Sequence, residues 1–154
     1  MFQAGKDPAA ARAARVFAAR TACRRPLVLF ASPVAAGFPS PAEDYVEGRL
    51  DLNEHLIYHP AATFFVRVKG ESMLGAGIHP DDLLVVDRSL EARSGDIVIA
   101  AVAGELVVKR LGKAKAGWRL EASSPDFPPI AIGAEADCAV WGVVTGSVRR
   151  FERR

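Results

Sequence analysis

The stretch DIVIAAVAGELVVKRL (residues 96–111) decides how this chain folds. Val, Ile and Leu fill both of its halves, and Ala103-Gly104 divides them. β-Branched residues suit a pleated, half-buried surface. A short glycine-containing break between two such runs reads as a tight β-hairpin. Similar β-rich runs occur on both sides: TFFVRVK (63–69), LLVVD (83–87), WRLEA (118–122) and AVWGVVTGSV (139–148). The segments HPDD, RSGD and KAKAG supply turn chemistry between them. Successive strands of this kind predict an all-β domain, a sandwich or a partly open barrel.

One residue in the hairpin is out of character. In a strand, side chains alternate between faces, so Lys109 shares a face with Val107 and Leu111. An ammonium held between aliphatic neighbours is partly desolvated, which disfavours its charged form. A neutral lysine can accept a proton from a serine hydroxyl. The same pattern also describes an edge-strand lysine that reaches out to water.

Upstream, KGESMLGAGIHPDD (69–82) follows a strand and concentrates glycine around Ser72. Such a turn can expose a hydroxyl and neighbouring backbone N–H groups, the parts of a nucleophile and an oxyanion hole. It can equally be only a turn. The histidines add nothing definite. His55 and His59 stand four apart without a third ligand at metal-site spacing, and His79 precedes Pro80 in a turn. No metal or cofactor is expected.

The N-terminal region has a different character. Residues 1–36 carry six basic residues against Asp7, for a net +5, and the tail RRFERR (149–154) carries +3. With a total of +2, the body between them is acidic. Basic arms suit a nucleic acid or an acidic surface, or are simply solvated. The segment PAAARAARVFAAR (8–20) predicts a marginal, nascent helix. Prolines 33, 39 and 41 exclude regular structure around VAAGFPSP (34–41), a small-residue stretch suited to proteolysis. Residues 1–42 therefore read as a flexible N-terminal arm and 43–154 as the folded domain. Residues 42–60 predict one or two short helices, with Asp51 and Glu54 forming a capping box that opens a helix near Leu52.

The 154 residues suit one domain, half of them apolar and a quarter charged. No apolar run approaches the roughly 18 residues of a membrane span. Cys23 and Cys138 lie far apart, which fits a reducing compartment. A cytoplasmic location is expected.

Taken together, AGFPSPAEDYVE (36–47), GESM (70–73) and ELVVKRL (105–111) closely resemble the LexA- and UmuD-like family of self-cleaving serine peptidases. The resemblance runs from about Val34 to Ser147. It implies a mainly β peptidase domain of twisted antiparallel sheets with a short helical segment. It implies Ser72 as nucleophile, Lys109 as general base, and the backbone N–H groups of Ser72 and Glu71 as oxyanion hole. The scissile bond would join Ala36 to Gly37. It further implies an SOS mutagenesis role as a homodimer, cutting stimulated by a RecA–single-stranded DNA filament, and association with a UmuC-type DNA polymerase subunit. Three other readings remain beside it. A secretory signal cut after Ala36 would need an unusually long leading region before a short apolar core. A LexA-type or phage-type repressor would need a helix-turn-helix, for which the proline-broken arm is too short. A non-cleaving polymerase-assembly module would leave GESM and Lys109 without a task.

Overall fold

The computed structural model describes residues 16–18, 25–30, 46–115, 117–133 and 137–152. Its strands are β1 (Val16–Ala18), β2 (Leu27–Phe30), β3 (Val46–Leu50), β4 (Thr63–Arg67), β5 (Leu83–Asp87), β6 (Ile97–Val102), β7 (Glu105–Ala114), β8 (Gly117–Glu121), β9 (Ile130–Ile132) and β10 (Cys138–Val148). One α-helix, α1 (Leu52–Leu56), and a 3-10 turn over Leu74–Ala76 complete the described elements.

Eight strands form one sheet in the order β1-β4-β5-β10-β6-β7-β8-β9, and β2 pairs with β3 separately. Each recorded pairing is antiparallel. The mainly β expectation is thus borne out. The β6–β7 hairpin is aligned with Val102 opposite Glu105, leaving Ala103 and Gly104 as a two-residue turn. Both turn residues have positive φ, 49° and 80°. That geometry matches the twist of the flanking strands, and glycine adopts it without steric cost. The last strand, β10, lies centrally between β5 and β6 and carries irregularities beside Gly142 and Gly146.

Alternation divides the apolar residues into two cores. Leu84, Val86, Ile99, Val66, Val68, Met73 and Ile78 form one, with Leu106 and Val108 packed against it. Val98, Ala100, Leu111, Leu120, Ile132 and Val143 form the other, with Val107 against it. Neighbours in sequence, such as Val98 and Ile99, thus serve opposite cores, as the two-residue period of a strand requires.

Two local expectations need correction. Val16–Ala18 is not helical: it pairs with Phe64–Val66 at the edge of the large sheet. A short alanine-rich helix has too little apolar surface to persist alone, and tertiary pairing overrides its propensity. Among the described residues of 42–60, only Leu52–Leu56 is helical, while Val46–Leu50 is a strand. Its Glu47 and Arg49 are exposed and Gly48 and Leu50 are half-buried, the alternation of a strand. The helix start does agree with the sequence. Asp51 is the N-cap and accepts a bond from the Asn53 N–H at 2.9 Å. The three-residue β9, behind Pro128 and Pro129, carries too little pattern to be predicted. Ala36, Gly37 and the rest of 31–45 lie outside the described residues.

Candidate active site

Lys109 sits on β7 opposite Val98 and is only 9% exposed. Two ladders, to β6 and to β8, hold β7 in place. Its alternation puts Lys109 on the face of Val107 and Leu111, and of the two sequence expectations the desolvated amine is the one observed. Among the described residues no carboxylate forms an ion pair with Lys109. Burial therefore pushes its amine below the ordinary lysine value of 10.5. The ring of Phe127, from the connection between β8 and β9, lies 5.5 Å from its Nζ.

Ser72 comes to this lysine on a loop with no regular structure before Leu74. The loop is closed at its base, where Val68 N–H bonds to Asp82 O and Asp81 N–H to Val68 O. At its crown, Ser123 N–H donates to Ser72 O at 2.8 Å and Gly75 N–H donates to Ser123 O at 2.8 Å. Met73 is 1% exposed and anchors the loop in the first core. The backbones at Gly75 and Ser123 approach so closely that a Cβ at Gly75 would lie 2.2 Å from the Ser123 oxygen. Only glycine fits there.

The outcome is one short contact: Lys109 Nζ donates to Ser72 Oγ at 2.7 Å. When the amine is neutral, the same pair can be bonded with the hydroxyl as donor. The two residues singled out from sequence are therefore within proton-transfer distance. The carbonyls of Glu71, Ser72 and Met73 are all engaged in the loop. The N–H groups of Glu71 and Ser72 donate no bond among the described residues.

The chain matches the Peptidase S24-like family over residues 28–145. It belongs to that family. Protein ImpA of Salmonella typhimurium is 49% identical over 123 residues, 79% of this chain and 83% of the relative. Protein SamA of Salmonella typhimurium strain LT2 is 45% identical over 122 residues, 79% and 84% of the two chains. Protein MucA of Escherichia coli is 45% identical over 116 residues, 75% and 79% respectively. The UmuD-like resemblance is borne out, and with it the general class of activity, that of a self-cleaving serine peptidase.

Of the histidines, His79 ends the loop that carries Ser72, and its N–H donates to Asp82 Oδ2 at 3.0 Å. His59 Nδ1 is 2.6 Å from Asp87 Oδ2. Asp87 is buried, which raises its carboxyl pKa, but bonds from Ser89 and His59 outweigh burial and leave it lowered. Among the described residues no group of acids, histidines or cysteines could hold a metal. No described helix is long and apolar enough to cross a membrane. Sequence reasoning missed Ser123 and Phe127. Both lie in SSPDFPP (123–129), an irregular connection whose contacts follow no period.

Proposed function

We propose that Ser72 and Lys109 are a catalytic dyad that cuts the chain's own Ala36–Gly37 bond. The observation that carries the proposal is the 2.7 Å contact between Ser72 Oγ and a buried lysine amine that has no carboxylate partner among the described residues. Neutral Lys109 takes the Ser72 hydroxyl proton as Oγ attacks the Ala36 carbonyl carbon. The oxyanion is met by the N–H groups of Ser72 and Glu71. The lysine ammonium then protonates the leaving amine of Gly37. Water, deprotonated by the same lysine, then attacks the resulting Ser72–Ala36 ester, and the ammonium returns the proton to Ser72 Oγ as the Ala36 carboxylate is released.

The strand pairing supports a tethered substrate. Phe30 at the end of β2 pairs with Val46 at the start of β3. The connection between them therefore starts and finishes at one place, and it contains Ala36 and Gly37. An attached substrate has a high effective concentration, so a deep specificity pocket is unnecessary. Small residues at Ala35, Ala36 and Gly37 allow close approach to Ser72. On this reading 1–42 is the arm that holds the cleavage site and 43–154 the peptidase domain, with β1 and β2 lent by the arm to the domain.

The UmuD-like resemblance supports the wider role. The product 37–154 acts as a homodimer in SOS mutagenesis and joins a UmuC-type DNA polymerase subunit. A RecA–single-stranded DNA filament favours the docked, cleavable arm and so shifts a population. The test incubates purified protein with RecA, single-stranded DNA and a slowly hydrolysed nucleotide. Mass spectrometry should detect new termini at Ala36 and Gly37, and Ser72→Ala should block them. Wild-type cutting by Ser72→Ala would overturn the mechanism.

A further inference from the structure

The basic tail has no part in the dyad, yet its first residue is tied to the loop that carries Ser72. Arg149 lies just beyond β10. Its Nε donates to Asp82 Oδ1 at 2.6 Å and its Nη2 to Asp82 Oδ2 at 2.6 Å. The same Nη2 donates to the Gly77 carbonyl at 2.8 Å. Asp82 is 1% exposed, and its Oδ2 also accepts the His79 N–H at 3.0 Å.

These bonds meet the loop where it needs support. Gly77 ends the 3-10 turn in the left-handed region, and its N–H returns to Leu74 O at 2.8 Å. The Ile78 N–H bonds back to Met73 O, one residue from the nucleophile. The last carbonyls of a helical turn lack internal partners and favour a cation. Arg149 supplies that cation at Gly77, and Asp82 fixes its planar fork through two parallel bonds. The loop is thus held at three places: its base by Val68, its crown by Ser123, and its flank by Arg149.

We propose that Arg149 and Asp82 are positioning residues for self-cleavage, holding the 72–79 loop so that Ser72 Oγ stays against Lys109. The inference rests on the Ser72–Lys109 reading above. Because Arg149 directly follows β10, which is paired on both sides in the sheet, the pair couples the nucleophile loop to a central strand of the domain. Without it, the turn is free to shift on the scale of about an ångström, enough to cost on the order of a hundredfold in rate.

The experiment measures spontaneous first-order cleavage of the full chain at 20 °C between pH 7 and 11. Wild type, Arg149→Gln, Arg149→Lys, Asp82→Asn and the Arg149→Gln/Asp82→Asn double variant are compared. Circular dichroism confirms that each is folded at that temperature. Arg149→Gln and Asp82→Asn should each cut at least tenfold more slowly. The double variant should be no slower than the worse single one, since the two act as a unit. Arg149→Lys keeps the charge without the fork and should recover part of the rate. The alkaline midpoint should move upward in Arg149→Gln, because a loosened loop admits water to Lys109. A folded Arg149→Gln that cuts at the wild-type rate, or a lower rate with an unmoved midpoint and no recovery by lysine, would overturn the proposal. If wild type itself fails to cut anywhere in this range, it is the dyad reading that falls.

Discussion

The two halves of the site are built by opposite means. Lys109 stands on a strand with hydrogen-bonded neighbours on both sides, and strand alternation alone turns it inward. Ser72 stands on a loop whose place is set by separate contacts with Val68, Ser123 and Arg149. One residue is positioned by a repeating ladder, the other by a few specific contacts, those of Ser123 and Arg149 coming from distant parts of the chain. Damage to the first half should therefore act through chemistry or global stability. Damage to the second should act through geometry in a protein that remains folded.

Lys109→Arg breaks the contrast most severely. Arginine keeps the charge and much of the length but does not give up its proton in proteins. Self-cleavage should fall by more than about a thousandfold, as when a member of a catalytic unit is lost. The measurement is the amount of intact chain after prolonged incubation, with circular dichroism as the control for folding. Appreciable cutting would mean that Lys109 is not the base.

Gly75→Ala probes the loop half. The new Cβ would meet the Ser123 oxygen at 2.2 Å, so the crown must move. Cleavage should slow by about a hundredfold, the cost of an ångström-scale misplacement. Chemical denaturation should register a smaller change than for a core truncation. A rate within twofold of wild type would mean that Ser72 does not depend on this crown.

Leu111→Ala probes the ladder half without touching the chemistry. Leu111 is 1% exposed and two residues from Lys109 on the same face. Its truncation should cost about 2–5 kcal/mol of stability, read from urea unfolding. The folded fraction should still cut at close to the wild-type rate. A large loss of rate in folded protein would mean that β7 is less rigid than its two ladders suggest.

Two pH profiles give smaller effects. Burial lowers the Lys109 pKa below 10.5, so the folded chain releases that proton at lower pH than the unfolded chain does. The cleavage rate should rise through this alkaline interval, and this lysine's contribution to stability should rise with it. A flat rate from about pH 7 to 10, across which a perturbed lysine titrates, would count against Lys109 as base. At the acid end, the Arg149 hydrogen bond lowers Asp82 from 3.8 to about 2. The stabilisation from this pair is complete above 3.8 and is lost as the pH falls through about 2. Acid unfolding of Asp82→Asn should lack that component.

The strands from Thr63 onward were legible because alternation and turn residues are local. β5 (Leu83–Asp87) coincides with the apolar run LLVVD, and the Ala103-Gly104 turn was visible in the residues themselves. The segments read wrongly are those where local preference is weak. Residues 16–18 have alanine-rich surroundings yet join a sheet edge, and residues 46–50 offer only one alternating side.

By itself, the sequence determined a mainly β chain, a lysine that shares a strand face with Val107 and Leu111, and a glycine-rich serine loop. Each of these depends on residues within a few positions of one another. Only the tertiary structure decided that Ser72 and Lys109 meet at 2.7 Å, that Ser123 holds the crown and that Arg149 grips Asp82. Those partners are 37, 51 and 67 residues apart. No sequence period spans such separations, because packing of the whole sheet, not local geometry, brings the partners together.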